Sequence, residues 1–268
     1  MKIIEWNVKN MNQTKCLSCL ADEINEREPD IVVLTEYNID ANKGGNFEKE
    51  MQKNGYILKS RGKSSGNGNA DILIAVKESD DISIVGDVCF GYKYNYLILK
   101  TKIRSEEAYI VGLRIRVHSG EYDENEQEYR LKQLKNILGL PELNKAKRVI
   151  MVGDFNNYKS YGNENEIENY AEYYKGKNQK KYNIQAIKKL YAEKGYDYKN
   201  SAPENENEYS YKLKTQYRYD HIFTKGFSVD KTTYDWKWEK SVKNIKKHNK
   251  EKGYVPDHAI LSADISLK

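Results

Sequence analysis

At 268 residues and a net charge of +5, the chain can bury a large core, and no apolar run approaches the roughly 18 residues that a membrane-spanning helix needs. Glu5 and Asn7 interrupt the first apolar residues before a signal-peptide core can form, and the 3 cysteines suit a reducing compartment. The composition therefore points to a soluble, cytoplasmic protein off the membrane, built as one domain over 1–268 with a polar insertion at about 157–183, and a monomer is expected.

Met1 to Val8 alternates as a strand and ends in Trp6-Asn7, a carboxamide placed to orient a ligand. A helix from about Thr14 to Arg27 follows, stopped by Pro29. Its Cys16-x-x-Cys19 pair lacks a second pair or a nearby histidine to complete a zinc set, and Leu17, Leu20 and Ile24 at helical spacing argue for core packing. Ile31-Val32-Val33-Leu34 has the unbroken apolar character of a strand covered on both faces, and it delivers Glu36 at its exit.

Phe47 to Lys53 reads as a short helix and Tyr56 to Lys59 as a strand. A glycine- and serine-rich loop leads into the strand from Asp71 to Val76; its Gly66-Asn67-Gly68 element could approach a phosphate with its backbone but matches neither a P-loop nor a dinucleotide fingerprint. Further strands are expected at Ile82 to Val85, Tyr94 to Lys102 and Ala108 to Val117, with a charged turn near Arg104 to Glu107. So many strands with helices inserted argue for stacked sheets flanked by helices, not a Rossmann alternation.

Tyr129 to Leu138 carries apolar residues at helical spacing and ends at Gly139 and Pro141. Val149 to Val152 then stops at Gly153-Asp154-Phe155-Asn156, where a buried strand presents a carboxylate and a carboxamide beyond the sheet edge. Both residues also favour turns, so this element gains meaning only from partners elsewhere. A helix from Ile184 to Glu193, a strand beginning at Tyr209, and another over Tyr217 to Phe223 come next. Asp257-His258 opens a last strand in which Leu261, Ala263, Ile265 and Leu267 alternate with polar residues, so one face is buried.

The excess positive charge gathers near Lys243, Lys246 and Lys247, which suits a phosphate backbone and equally a solvated loop. The 23 tyrosines offer stacking surfaces for bases, although AT-rich coding explains the same composition.

Trp6-Asn7, Glu36 after its apolar run, Gly153-Asp154-Phe155-Asn156, Arg218-Tyr219-Asp220-His221 and Asp257-His258, in that order, resemble the endonuclease/exonuclease/phosphatase superfamily, the deoxyribonuclease-I-like metal-dependent phosphoesterases. The resemblance runs from Met1 to Leu267 and implies an α+β, four-layer αββα sandwich with its site where strand ends converge. It implies that Glu36 is the principal Mg²⁺ ligand (Mn²⁺ serving in its place), with Asn7 and Asp257 completing the metal site. Asp154 corresponds to the residue that orients or deprotonates water, Asn156 to its helper, His258 to the phosphate contact and Asp220 to the carboxylate behind it.

The implied activity is hydrolysis of a phosphodiester in nucleic acid, DNA first, by an endonuclease or exonuclease. The alternatives are a phosphatase for a nucleotide, an inositol phosphate or another small molecule, and a degenerate binding protein without catalysis. His221, one residue after Asp220 on a strand, points to the opposite face and reads as structural.

Two departures from the resemblance stand out. Arg114 occupies the place of a phosphate-touching histidine or tyrosine, with His118 as the occupant if the register is shifted. Lys9 stands where repair nucleases of this kind often carry an acid. Arg130 is either a further phosphate contact or a helix-surface residue.

Overall fold

The computed structural model describes residues 1–9, 17–37, 46–60, 71–77, 82–85, 96–115, 126–157, 182–198, 208–212, 216–241 and 256–268. In chain order the elements are β1 (Lys2–Asn7), α1 (Leu17–Asn25), β2 (Ile31–Tyr37), α2 (Asn46–Lys53), β3 (Tyr56–Lys59), β4 (Asp71–Lys77), β5 (Ser83–Val85), β6 (Tyr96–Ile103), β7 (Glu106–Arg114), α3 (Glu126–Leu138), α4 (Pro141–Lys145), β8 (Val149–Asp154), α5 (Ile184–Glu193), β9 (Tyr211–Lys212), β10 (Gln216–Tyr217), β11 (Asp220–Lys225), β12 (Phe227–Asp235) and β13 (Ile260–Leu267). A six-stranded sheet has the order β12-β13-β1-β2-β4-β3, and a five-stranded sheet the order β11-β8-β7-β6-β5. The pairs β1–β2 and β7–β8 are parallel and the others antiparallel, and β9–β10 forms a small separate ladder.

Alternation along the strands sorts side chains into layers. Ile3, Ile31, Val33, Ile150, Val152 and Ile222 point into the space between the sheets. The neighbouring positions Ile4, Trp6, Val32 and Leu34 turn outward and pack on Leu20 and Ile24 of α1 and Phe47 and Met51 of α2. Val149, Met151 and Phe223 pack likewise on Leu134 and Leu138 of α3 and Ile187 and Tyr191 of α5. The result is helix on sheet on sheet on helix, with each buried aliphatic side chain contributing about 1.5–3 kcal/mol.

The inward positions change character at one end of the sandwich. Beyond Ile3 the same face of β1 carries Glu5 and Asn7, beyond Val33 that of β2 carries Thr35, and beyond Val152 that of β8 carries Asp154. Register places Arg114 beside Asp154 and Asp154 beside Asp220 across three adjacent strands. Gly153 makes this approach possible, because a Cβ there would lie 1.9 Å from the Leu113 carbonyl oxygen.

Several sequence expectations need correction. The first helix begins, among described residues, at Leu17 and ends at Asn25, two residues short of Arg27, while Thr14 to Cys16 lie outside the described residues. Cys19 is buried there as expected, but it is disulfide-bonded, not a free packing thiol; Cys16 and Cys89 lie outside the described residues. α3 starts three residues early, at Glu126. Pro141 does not simply end it, since proline also suits the first turn of a helix and here opens α4.

β12 escaped a period-two reading because a bulge between Val229 and Lys231 shifts the buried set from Phe227 and Val229 to Thr232 and Tyr234. The strand expected from Tyr209 is shorter, with β9 starting at Tyr211, and the one expected from Tyr217 is broken into β10 and β11. The glycine-rich 61–69 loop, the 243–247 lysines, His118 and most of the 157–183 insertion lie outside the described residues. Among the described residues, no helix is long and apolar enough to cross a membrane.

Candidate active site

A cleft of roughly 320 Å³ opens where the inward faces turn polar, lined by Lys9, Glu36, Arg114, Arg130, Asp154, Asn156, Tyr211, Tyr219, Asp257 and His258. Local backbone irregularities aim its acids. β2 loses regular pairing with β4 between Leu34 and Tyr37, and Glu36 takes a positive φ of 53°. That bulge lifts its carboxylate out of strict alternation and into the cleft. At the end of β8, Asn156 has φ 45°, its N–H donates to Asp154 Oδ1 (2.9 Å), and its side-chain amide donates to the Ile115 carbonyl (2.9 Å). Asn156 thus builds the corner that holds Asp154.

Asn7 ties the acids together, donating from Nδ2 to Asp154 Oδ2 (2.9 Å) and to Glu36 Oε1 (3.2 Å). Its Oδ1 accepts from the Lys9 backbone N–H (3.0 Å). Across the cleft, His258 Nδ1 meets Asp220 Oδ2 at 2.7 Å, and the His258 carbonyl accepts from the Trp6 indole. Ser210 Oγ accepts from the backbone N–H groups of Tyr219 and Asp220, pinning the entry to β11.

The charges are unequal in their consequences. Burial opposes a charge on His258, but Asp220, Asp154 and Asp257 overcome it and raise the imidazole to about 9, so it is a cation at neutral pH. Burial pushes the Asp154 carboxyl up to about 6; His258 and Arg114 pull against this, Asp220 and Glu36 with it. Burial also opposes ionisation of Glu36, yet Arg114, Asn7 and His258 hold its carboxyl below the ordinary range.

Three acids, Glu36, Asp154 and Asp257, line the one cleft, and carboxylate oxygens are the hard donors that divalent cations favour. Among the described residues, the trio whose possible ligand atoms all lie within 4.8 Å of one another is a different one, Asp154, Asp220 and His258. There, however, His258 Nδ1 is taken by Asp220 and the ring is protonated, which suits it to donate a hydrogen bond and not to ligate.

The residues singled out in sequence, Asn7, Glu36, Arg114, Asp154, Asn156, Asp220, Asp257 and His258, therefore converge at this end of the sandwich. Arg130 belongs with them and is no helix-surface residue: it lines the cleft, pairs with Glu126 (3.0 Å), and donates to the Asn156 carbonyl. His221 faces the other way, as its parity requires, into Phe155, Phe223 and Tyr198, with Nε2 against Asn157 Oδ1 (2.9 Å).

Sequence reasoning missed Glu5, Tyr211 and Tyr219. Glu5 is wholly buried behind the site and accepts from Thr35 Oγ1 (3.0 Å); burial first, and then Asp220 and Asp154, push its carboxyl well above the ordinary range. Its odd position on β1, between inward-facing Ile3 and Asn7, was the available signal. Tyr211 and Tyr219 line the cleft, their rings 5.1 Å apart, with Tyr217 stacked on Tyr219 at 5.3 Å and Tyr211 edge-on to His258 at 5.0 Å.

No family model and no curated protein matches the chain by sequence. Solved structures do resemble it. An AP endonuclease from Archaeoglobus fulgidus superposes with a TM-score of 0.67 over 100% of both chains at 18% identity. The 3'-5' exonuclease NExo from Neisseria meningitidis gives 0.64 over 98% of this chain and 99% of its own at 14% identity. D. rerio TDP2 complexed with single-strand DNA product gives 0.59 over 99% and 98% at 16% identity. The chain thus has the deoxyribonuclease-I-like fold of the endonuclease/exonuclease/phosphatase proteins, as the ordered motifs implied.

Proposed function

We propose that this chain is a divalent-metal-dependent phosphodiester hydrolase, a nuclease acting on DNA with Mg²⁺ as its metal. The observation that carries the reading is the composition of a single cleft: three acids suited to a hard cation face Arg114, Arg130 and a protonated His258 suited to a phosphate. Glu36 and Asp257 would hold the metal, which when bound supplies positive charge against the extra negative charge of the transition state.

The chain's own groups account for the remaining chemistry. His258, oriented through Nδ1 by Asp220, presents its other ring nitrogen as a charged donor to a non-bridging phosphate oxygen. Asp154, ionised above about pH 6 and held at both oxygens by Asn156 and Asn7, accepts the proton of the attacking water. Arg114 and Arg130 add donors for the phosphate, and Tyr211 and Tyr219 offer a face for an unpaired base beside it. That aromatic wall favours a nucleotide-bearing substrate over an inositol phosphate. AP endonuclease, exonuclease and a DNA-product complex among the similar structures accord with this choice.

Supercoiled plasmid and end-labelled single- and double-stranded oligonucleotides, incubated with Mg²⁺, with Mn²⁺ and with EDTA, test the proposal. Cleavage that EDTA abolishes is expected. Failure to cleave any DNA or RNA, alongside rapid turnover of a small phosphomonoester, would replace the nuclease reading with a phosphatase.

A further inference from the structure

The two acids assigned above to the metal are each already paired with a cation of the chain itself. Arg114 donates to Glu36 Oε1 from both Nε (2.8 Å) and a terminal nitrogen (2.7 Å), closing a link between β7 of one sheet and β2 of the other. Lys9 Nζ lies 2.6 Å from Asp257 Oδ2, joining the segment after β1 to the segment before β13. All four side chains line one cleft. Lys9 and Arg114 are also the two positions at which the sequence departs from the pattern it otherwise resembles.

A divalent cation approaching Glu36 and Asp257 competes for oxygens that these side chains hold, and the like charges repel at such distances. A displaced guanidinium in a cleft this confined needs another anion. The anion that belongs in the cleft is the phosphate, whose paired oxygens match the arginine fork.

Resting on the proposed function, we infer that Arg114 and Lys9 are exchangeable counter-ions: they occupy Glu36 and Asp257 until a divalent cation displaces them, and then turn to the substrate's phosphates. Cation and phosphodiester therefore bind with positive coupling that passes through these two side chains. By reciprocity, each raises the affinity for the other by one common factor. Arg114 carries the larger share, since it places two nitrogens on its acid and Lys9 only one.

The test is Mn²⁺ binding to the intact protein, followed by calorimetry and by the electron paramagnetic signal of free Mn²⁺, with and without dimethyl phosphate as the diester probe. Arg114→Gln is expected to bind Mn²⁺ about tenfold more tightly than the unmodified chain when no diester is present, and Lys9→Gln by a smaller factor. Dimethyl phosphate should tighten Mn²⁺ binding to the unmodified chain several-fold, and Arg114→Gln should lose most of that gain. Lys9 is the more exposed of the two cations, at 36% of its side chain, so Lys9→Gln carries the same test where Arg114→Gln does not fold.

Glu36→Gln separates metal binding itself from its competition with Arg114 and Lys9. Mn²⁺ binding that depends on Glu36 but is no tighter in Lys9→Gln or Arg114→Gln overturns the counter-ion inference and leaves the metal-dependent reading standing. Absence of Mn²⁺ binding in every form overturns that reading itself.

Discussion

His221 and His258 lie on opposite sides of the five-stranded sheet's end, both buried, and their imidazoles move in opposite directions. His221 is driven down to about 3, by burial first and then by Lys188 and Arg218, within an aromatic cluster. His258 suffers the same burial penalty but faces Asp220, Asp154 and Asp257, and rises to about 9. Burial alone therefore says nothing about whether a histidine is charged; the sign of its neighbours decides. The neighbours follow from strand parity, since Asp220 points inward to the acids and His221, one residue on, points outward to Phe155 and Phe223.

The largest effect that distinguishes the two faces is on turnover. His258→Ala and Asp154→Asn should each reduce DNA cleavage by about 10³-fold or more, whereas His221→Phe should leave it within a few-fold, measured as kcat/KM on an oligonucleotide. A His221→Phe loss comparable to that of His258→Ala would erase the contrast.

Next in size is the pH profile. Cleavage should rise as Asp154 ionises through about 6 and fall as His258 deprotonates through about 9. Asp220→Asn removes the chief support of the imidazolium, so the alkaline limb should move toward the ordinary histidine value and the rate fall by about 10²-fold.

The smallest effect is on stability. The folded-state value of His258 is raised, so its contribution is fully present below the unfolded value near 6.5 and is lost as pH rises through about 9. His221 is the reverse: its folded value is depressed, so stability is lost as pH falls below about 6.5 toward 3. Melting temperatures across that range should show His221→Phe flattening the acid limb and His258→Ala flattening the alkaline one.

Much of this architecture is legible in the residues. The unbroken apolar run at Ile31 to Leu34 marks a strand covered on both faces, and the alternation from Leu261 to Leu267 marks one with an exposed side. Ends of strands carrying Asn7, Glu36, Asp154 and Asp257-His258 locate the cleft. What escaped depends on contacts between distant parts of the chain. The pairing of Arg114 with Glu36 spans 78 positions, and the inward turn of Glu36 depends on a bulge against β4. β12 hid behind its own bulge, and Glu5 looked like a mere interruption of an apolar start because its partners Thr35 and Asp220 lie far along the sequence.

The register of β7, β8 and β11 sets Arg114, Asp154 and Asp220 side by side on one row. Hydrogen bonding between backbones fixes that row, and Gly153 keeps it close, so none of the three side chains is needed to maintain the spacing. The first position of the row is therefore free to vary in chemistry while its coordinates stay constant. Evolution, or an engineer, can place arginine, histidine or tyrosine at 114 and retune what the cleft accepts without rebuilding the sheet that carries it.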